Sequence, residues 1–156
     1  LARSLVERQA RFVEVQLGGG DPHQNNSTRV PERTAILDQA LSALLDDLSK
    51  RGMLEETLIV LATEFGRTPN INVNDGRDHY PKAFSCMLAG GGIRGGQVWG
   101  KTDDEGREVV DQKVEIPDLN ATIAYSLGLP LDEIIYSPTR RPFTLSDKGQ
   151  PLTQLI

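Results

Sequence analysis

Thr57-Leu58-Ile59-Val60-Leu61-Ala62 leads directly into Thr63-Glu64-Phe65-Gly66-Arg67-Thr68-Pro69. The first half is a continuous apolar run with no polar alternation, the pattern of a strand buried on both faces in a parallel sheet. Upstream of it, Ile36, Leu37, Ala40, Leu41, Leu44, Leu45 and Leu48 recur at helical spacing until Gly52 stops them. This periodicity predicts a helix, opened by Pro31 with Glu32 favourably placed against the dipole. Before the helix, Arg11 to Leu17 places Val13, Val15 and Leu17 on one face and stops at Gly18-Gly19-Gly20, which predicts a first strand ending in a glycine turn. Strand, long helix and buried strand in that order make a right-handed strand-helix-strand unit. Leu1, Leu5 and Val6, with charges between them, predict the end of an amphipathic helix over Leu1 to Ala10.

Downstream, a polar, Asn-rich loop from Gly66 to Asp78 precedes a second apolar run, Ala83 to Ala89, which ends in Gly90-Gly91-Gly92 and reads as a third strand of the same kind. Val98 and Val109-Val110 flank an Asp- and Gly-rich turn from Lys101 to Arg107, predicting a small hairpin. Asp118 to Leu127 reads as a final helix with Pro117 near its first turn and Gly128 after it. From Pro130 on, three more prolines predict an irregular surface wrap over residues 130–156. The expected fold class is therefore α/β, a three-layer sandwich around a mostly parallel sheet.

The 156 residues suit one hydrophobic core. Lys plus Arg count 17 against 22 Asp plus Glu, a net charge of −5 that disfavours nucleic acid as a partner, since counterion release needs clustered cations. No stretch approaches the roughly 18 consecutive apolar residues of a membrane span. The single cysteine, Cys86, lies in the apolar Ala83 to Ala89 run and reads as a small core residue.

Ligands of open α/β sheets gather beyond the carboxyl ends of the strands. There this chain places Asp21-Pro22-His23, then Glu64-Phe65-Gly66-Arg67, then Gly76-Arg77-Asp78-His79-Tyr80-Pro81, a set that includes both of its histidines. Imidazole and carboxylate are ligands for Zn, Mn or Fe, and an acid beside each histidine can fix its tautomer. The same residues also admit a plain structural reading, with Asp21 capping the turn before Pro22, His23 on the surface and Asp78-His79 in an ordinary loop hydrogen bond. Arg67 and Arg77 could each bind an oxyanion with a bidentate fork or pair with a local acid. The glycine run Gly90 to Gly96 has neither dinucleotide-binding spacing nor a Walker lysine. Ser42, Thr63 and Ser85 lack the setting of an activated nucleophile.

Taken together, Gly20-Asp21-Pro22-His23, the Ala40 to Leu48 helix, Thr57 to Pro69, Gly76 to Pro81 and Leu88 to Gly96 resemble the DUF1501 family, uncharacterised bacterial proteins of the alkaline phosphatase-like, or sulfatase-like, superfamily. The resemblance implies that residues 1–156 are the C-terminal part of an alkaline phosphatase-like domain that is incomplete here, from a protein exported to the periplasm or cell surface. It also implies a metal-dependent hydrolase of small or polymeric phosphate or sulfate esters. On that reading Asp21, His23 and His79 ligate one divalent metal, Zn or Mn, Glu64 ligates a second or acts as general base, and Arg67 orients the oxyanion. The superfamily's Asp-His pair is replaced here by Glu64-Phe65, and Asp21 and His23 stand closer together than their phosphatase counterparts. Those departures point to the alternative, a non-catalytic exported binding or structural protein. The superfamily's nucleophile belongs to its N-terminal half, and apolar residues left bare by a missing half would favour self-association.

Overall fold

The computed structural model describes residues 1–19 and 21–156, and its largest element is one long helix. A short helix α1 (Ala2–Glu7) precedes α2 (Asn26–Lys50), and the two are tied near the C-terminal end of α2 by ion pairs. Arg3 reaches Asp47 at 3.0 Å, and Arg51, just past the helix, reaches Glu7 at 3.4 Å and Asp47 at 2.7 Å. The apolar stripe predicted for α2 is present, with Leu48 only 1% exposed at its inner end, and Gly52 beyond it takes a left-handed φ of +67°. The start differs from expectation. Pro31 lies inside α2 rather than at its opening, because the capping groups come from elsewhere in the chain. Asp75 accepts both the backbone N–H and the hydroxyl of Ser27, and its carbonyl accepts the Asn26 N–H, so a distant loop satisfies the first turn.

A 3₁₀ turn at Leu54–Glu56 leads into β1 (Ile59–Leu61). The next strands are β2 (Gly66–Arg67), β3 (His79–Tyr80) and β4 (Met87–Ala89). β1 pairs with β4 in antiparallel register, Val60 opposite Leu88, while β2 pairs with β3, Gly66 opposite Tyr80 and Arg67 opposite His79. β5 (Lys101–Thr102) and β6 (Val109–Asp111) form the hairpin expected around the Lys101 to Arg107 turn, although Val98 stands outside it and Lys101 inside a strand. The last helix, α3 (Ile116–Ser126), starts on a capping box in which the Glu115 side chain and Asp118 exchange bonds with each other's backbone, with Pro117 in the first turn as predicted. Among the described residues no helix is long and apolar enough to cross a membrane.

The three-layer sandwich with a mostly parallel sheet is not the fold. The described residues form four separate two-stranded antiparallel ladders. Two local facts account for the correction. Residues 11–17 do not form a strand, and Phe12 and Val15 are 83% and 74% exposed, so α2 has no first strand to cross over from. Between β1 and β4 the chain makes the β2–β3 excursion and no helix, and without a crossover element it returns antiparallel. Nor is β1 buried on both faces, since Val60 is 39% exposed. Gly18 and Gly19 do form a turn, whereas Gly20, the third residue of that expected glycine turn, lies outside the described residues.

Two further expectations change. Residues 130–156 are not irregular throughout: β7 (Ile134–Tyr136) and β8 (Pro142–Thr144) form a hairpin within them, and the end of the chain docks on α3. There the buried Thr122 hydroxyl accepts the Leu152 N–H at 3.0 Å and the Asp118 carboxylate accepts the Gln150 N–H at 2.8 Å. Cys86 is exposed rather than in the core; its thiol is nonetheless pushed up in pKa by partial burial.

Candidate metal centre

The candidate residues come from two segments that the fold clamps together. Asp21 and His23 lie on the loop before α2, and His79 lies in β3, 56 to 58 residues further on. The clamp is largely backbone. Arg77 N–H donates to the Pro22 carbonyl at 3.2 Å, Asn25 N–H to the Asn74 carbonyl at 3.1 Å, and Asn72 donates through its side chain to the His23 carbonyl at 3.2 Å. Gly76 makes this approach possible, because a Cβ there would lie 1.9 Å from the His23 carbonyl oxygen. The Asn72 side-chain oxygen accepts the N–H groups of Asn74 and Gly76 at 3.0 and 2.9 Å, which holds the tight turn in shape. Arg77 serves that same loop: its guanidinium donates to the carbonyls of Thr68, at 2.7 Å, and Pro69, so it is a brace and not a free fork.

Within the clamp three ligand atoms converge. Asp21 Oδ1 lies 3.2 Å from His23 Nε2 and 3.1 Å from His79 Nε2, and the two Nε2 atoms are 3.1 Å apart. Each of the three side chains keeps about half its surface open, at 57%, 44% and 46% exposure. Metal–nitrogen and metal–oxygen bonds of about 2.0–2.1 Å separate tetrahedral ligands by about 3.3 Å and adjacent octahedral ones by about 2.9 Å. The observed triangle falls between the two. The donor set, one carboxylate and two imidazoles, is equally suited to a borderline divalent cation. The residues fit such a group.

His23 is held in the tautomer that ligation needs. Its Nδ1 is 3.1 Å from Asp78 Oδ1. Hydrogen bonding from the His23 ring first, and from Asn72 second, holds the Asp78 carboxyl below its usual range, so this carboxylate accepts and Nδ1 carries the proton. In the neutral ring Nε2 is then a lone pair aimed at Asp21 and His79, the carboxylate–histidine arrangement common behind metal ligands. His79 is oriented differently. Its ring stacks on Phe65, with centroids 3.9 Å apart and planes inclined by 30°, and tilts against His23 at 4.8 Å.

Arg67, one strand over, completes the group. Its Nη2 pairs with the same Asp21 Oδ1, its Nη1 donates to the Arg77 carbonyl at 3.1 Å, and its guanidinium carbon stands 5.4 Å from the centre of the Phe65 ring. The Arg67 bond is the main reason the Asp21 carboxyl sits below its usual range; burial opposes it, and the His79 bond adds to it. Four of the five residues named from the sequence, Asp21, His23, Arg67 and His79, thus meet at Asp21 Oδ1. Glu64, in the loop between β1 and β2, is exposed and stands outside the Asp21–His23–His79 group. Asp78, Asn72 and Phe65 support the site without having been singled out as members of it. For Asp78 the signal was available in its adjacency to His79, but its bond is to the other histidine. Among the described residues Asp21, His23 and His79 form a candidate metal set. No curated protein and no solved structure matches the chain. The family model described as "Protein of unknown function (DUF1501)" matches residues 1–156, the whole chain, and the chain belongs to the DUF1501 family.

Proposed function

We propose that Asp21, His23 and His79 hold a divalent cation, Zn or Mn, and that this centre serves the hydrolysis of phosphate or sulfate esters. The observation that carries the reading is the convergence of three ligand atoms 3.1–3.2 Å apart with an arginine on the same carboxylate oxygen. A cation there would act as a Lewis acid on an ester oxygen. The chain's own residues do the rest of what is assigned here: Asp78 keeps the His23 proton on Nδ1, Phe65 stacks on the His79 ring, and Arg67, with Nη1 held by the Arg77 carbonyl, offers Nη2 to an oxyanion. Glu64 is assigned the role of general base or of ligand to a second cation only with movement of its loop, since it stands apart from the triangle. The test is metal content together with a panel of phosphate and sulfate esters, with His23→Ala and His79→Ala alongside. Stoichiometric Zn or Mn that both variants lose, with turnover lost in parallel, is the expected result; wild-type protein that takes up neither metal overturns the proposal.

A second reading has its own support. Phe65 covers a face of His79 and Glu64 lies outside the cluster, so the described residues bring together one group of three ligating side chains. A binding protein that holds a cation and an anion without turnover needs no more than that. Metal uptake with no hydrolysis across the ester panel would select it.

A further inference from the structure

We propose that Asp21 Oδ1 couples cation binding to anion binding: a divalent cation held by Asp21, His23 and His79 loosens this oxygen from Arg67 and turns the guanidinium into an oxyanion site. The inference rests on the reading of the triangle as a cation site. It starts from a crowded atom. Arg67 Nη2 and His79 Nε2 both meet Asp21 at Oδ1, filling the roughly two lone-pair directions a carboxylate oxygen offers, and the His23 Nε2 lone pair faces the same atom at 3.2 Å. A cation drawing on both imidazole lone pairs also takes charge from Oδ1, and the oxygen becomes a poorer acceptor for Arg67.

Arg67 is not free to follow or to leave. Its Nη1 is anchored on the Arg77 carbonyl, its plane lies near Phe65, and its backbone is paired with that of His79 in the β2–β3 ladder. Nη2 therefore stays directed at the triangle when its bond weakens. Charge gives the same sign. Without a cation, the guanidinium and the Asp21 carboxylate cancel; with a divalent cation these groups carry an excess of two positive charges, which the Asp78 carboxylate behind His23 offsets in part. An anion carrying tetrahedrally placed oxygens can then bridge the cation and Nη2. Roughly half-exposed side chains leave it a path from solvent. The cation strengthens oxyanion binding, and by linkage the oxyanion must tighten the cation by the same factor.

The probes are Zn²⁺ and inorganic sulfate, titrated calorimetrically into the protein separately and in both orders. Sulfate affinity about tenfold higher in the Zn-saturated protein is expected, within the range typical of site coupling, with Zn affinity raised equally by sulfate. Arg67→Gln is expected to keep Zn binding and lose the coupling. Zn binding in the wild type with sulfate affinity unchanged overturns the coupling and leaves the cation site standing. Full coupling in Arg67→Gln overturns it as well. Failure of the wild type to bind Zn removes the cation site and the coupling together, and the wild-type titrations decide both points even if the variant does not fold.

Discussion

At the scale of single residues, the site depends on one proton. Asp78 and His23 share a 3.1 Å contact across 55 residues of sequence, and the acid's lowered pKa keeps it an acceptor. Replacing the carboxylate by an amide removes the charge that fixes the His23 proton on Nδ1 while preserving size. Asp78→Asn is therefore expected to weaken Zn binding by roughly 10–100-fold, the usual cost of losing an outer partner of a ligating histidine. Competition with a chromophoric chelator measures it, and an affinity equal to that of the wild type would show that Asp78 does not set the tautomer. Residue identity made half of this visible in advance. Asp, His and Arg at the predicted strand ends could be picked out as metal- and anion-binding types, and four of them meet. What could not be read was which acid serves which histidine, because the Asp78–His23 bond spans two loops whose contact depends on the glycine at position 76.

At the scale of elements, local rules were the reliable ones. The α2 stripe and the Pro117 start of α3 follow from spacing and capping within a few residues, and both helices are present. Strand direction follows from the path of the chain between strands, and an apolar run such as Leu58 to Ala62 looks the same whichever way its partner runs. The β5–β6 hairpin, in contrast, carries its own turn chemistry and offers an acid test. The Asp103 carboxylate accepts the Arg107 N–H at 2.8 Å and the Glu108 N–H at 3.1 Å, and the Arg107 bond does most to hold its carboxyl below the usual 3.8. A depressed native pKa means that the stabilisation is complete above 3.8 and is lost as pH falls through the lower native value. The Arg107 and Glu108 amide signals should thus hold steady down to pH 3.8 and shift only below it, with the change abolished in Asp103→Asn; movement that begins well above 3.8 would contradict the assignment. On α3, Thr122 is fully buried and donates to the Asp118 carbonyl at 2.7 Å while accepting Leu152 N–H. Thr122→Val keeps the shape and strands that amide, so urea unfolding should show a loss of about 1–3 kcal/mol that Thr122→Ser largely avoids. Equal losses in the two variants would mean that the methyl and not the hydroxyl matters.

At the scale of the whole molecule, the surface is too large for its mass. A folded monomer of 17.1 kDa is expected to expose about 7,800 Å², whereas the chain exposes 11265 Å². The excess has an apolar part. Val73, Val98 and Phe12 are 100%, 92% and 83% exposed, and Ile36 on α2 and Val60 on β1 are also open. Only Leu48, Ala121 and Ala124 are buried hydrophobic residues among those described, which is a small core for four two-stranded ladders that do not join into one sheet. Isolated two-stranded ladders are marginal in water and need a further layer against them. Composition could not reveal this, because 38% hydrophobic content fits a closed core as well as an open one. The consequence is physical and measurable: these 156 residues alone should associate, with a sedimentation coefficient that rises with protein concentration and with strong binding of an apolar dye. Salt sharpens the test. Association driven by apolar surface strengthens in sulfate, whereas association through the charged pairs of α1 and α2 weakens as ionic strength screens them. A single monomeric species across the concentration range, with no dye bound, would mean that the open apolar residues fold against one another in solution and that the excess surface is not retained.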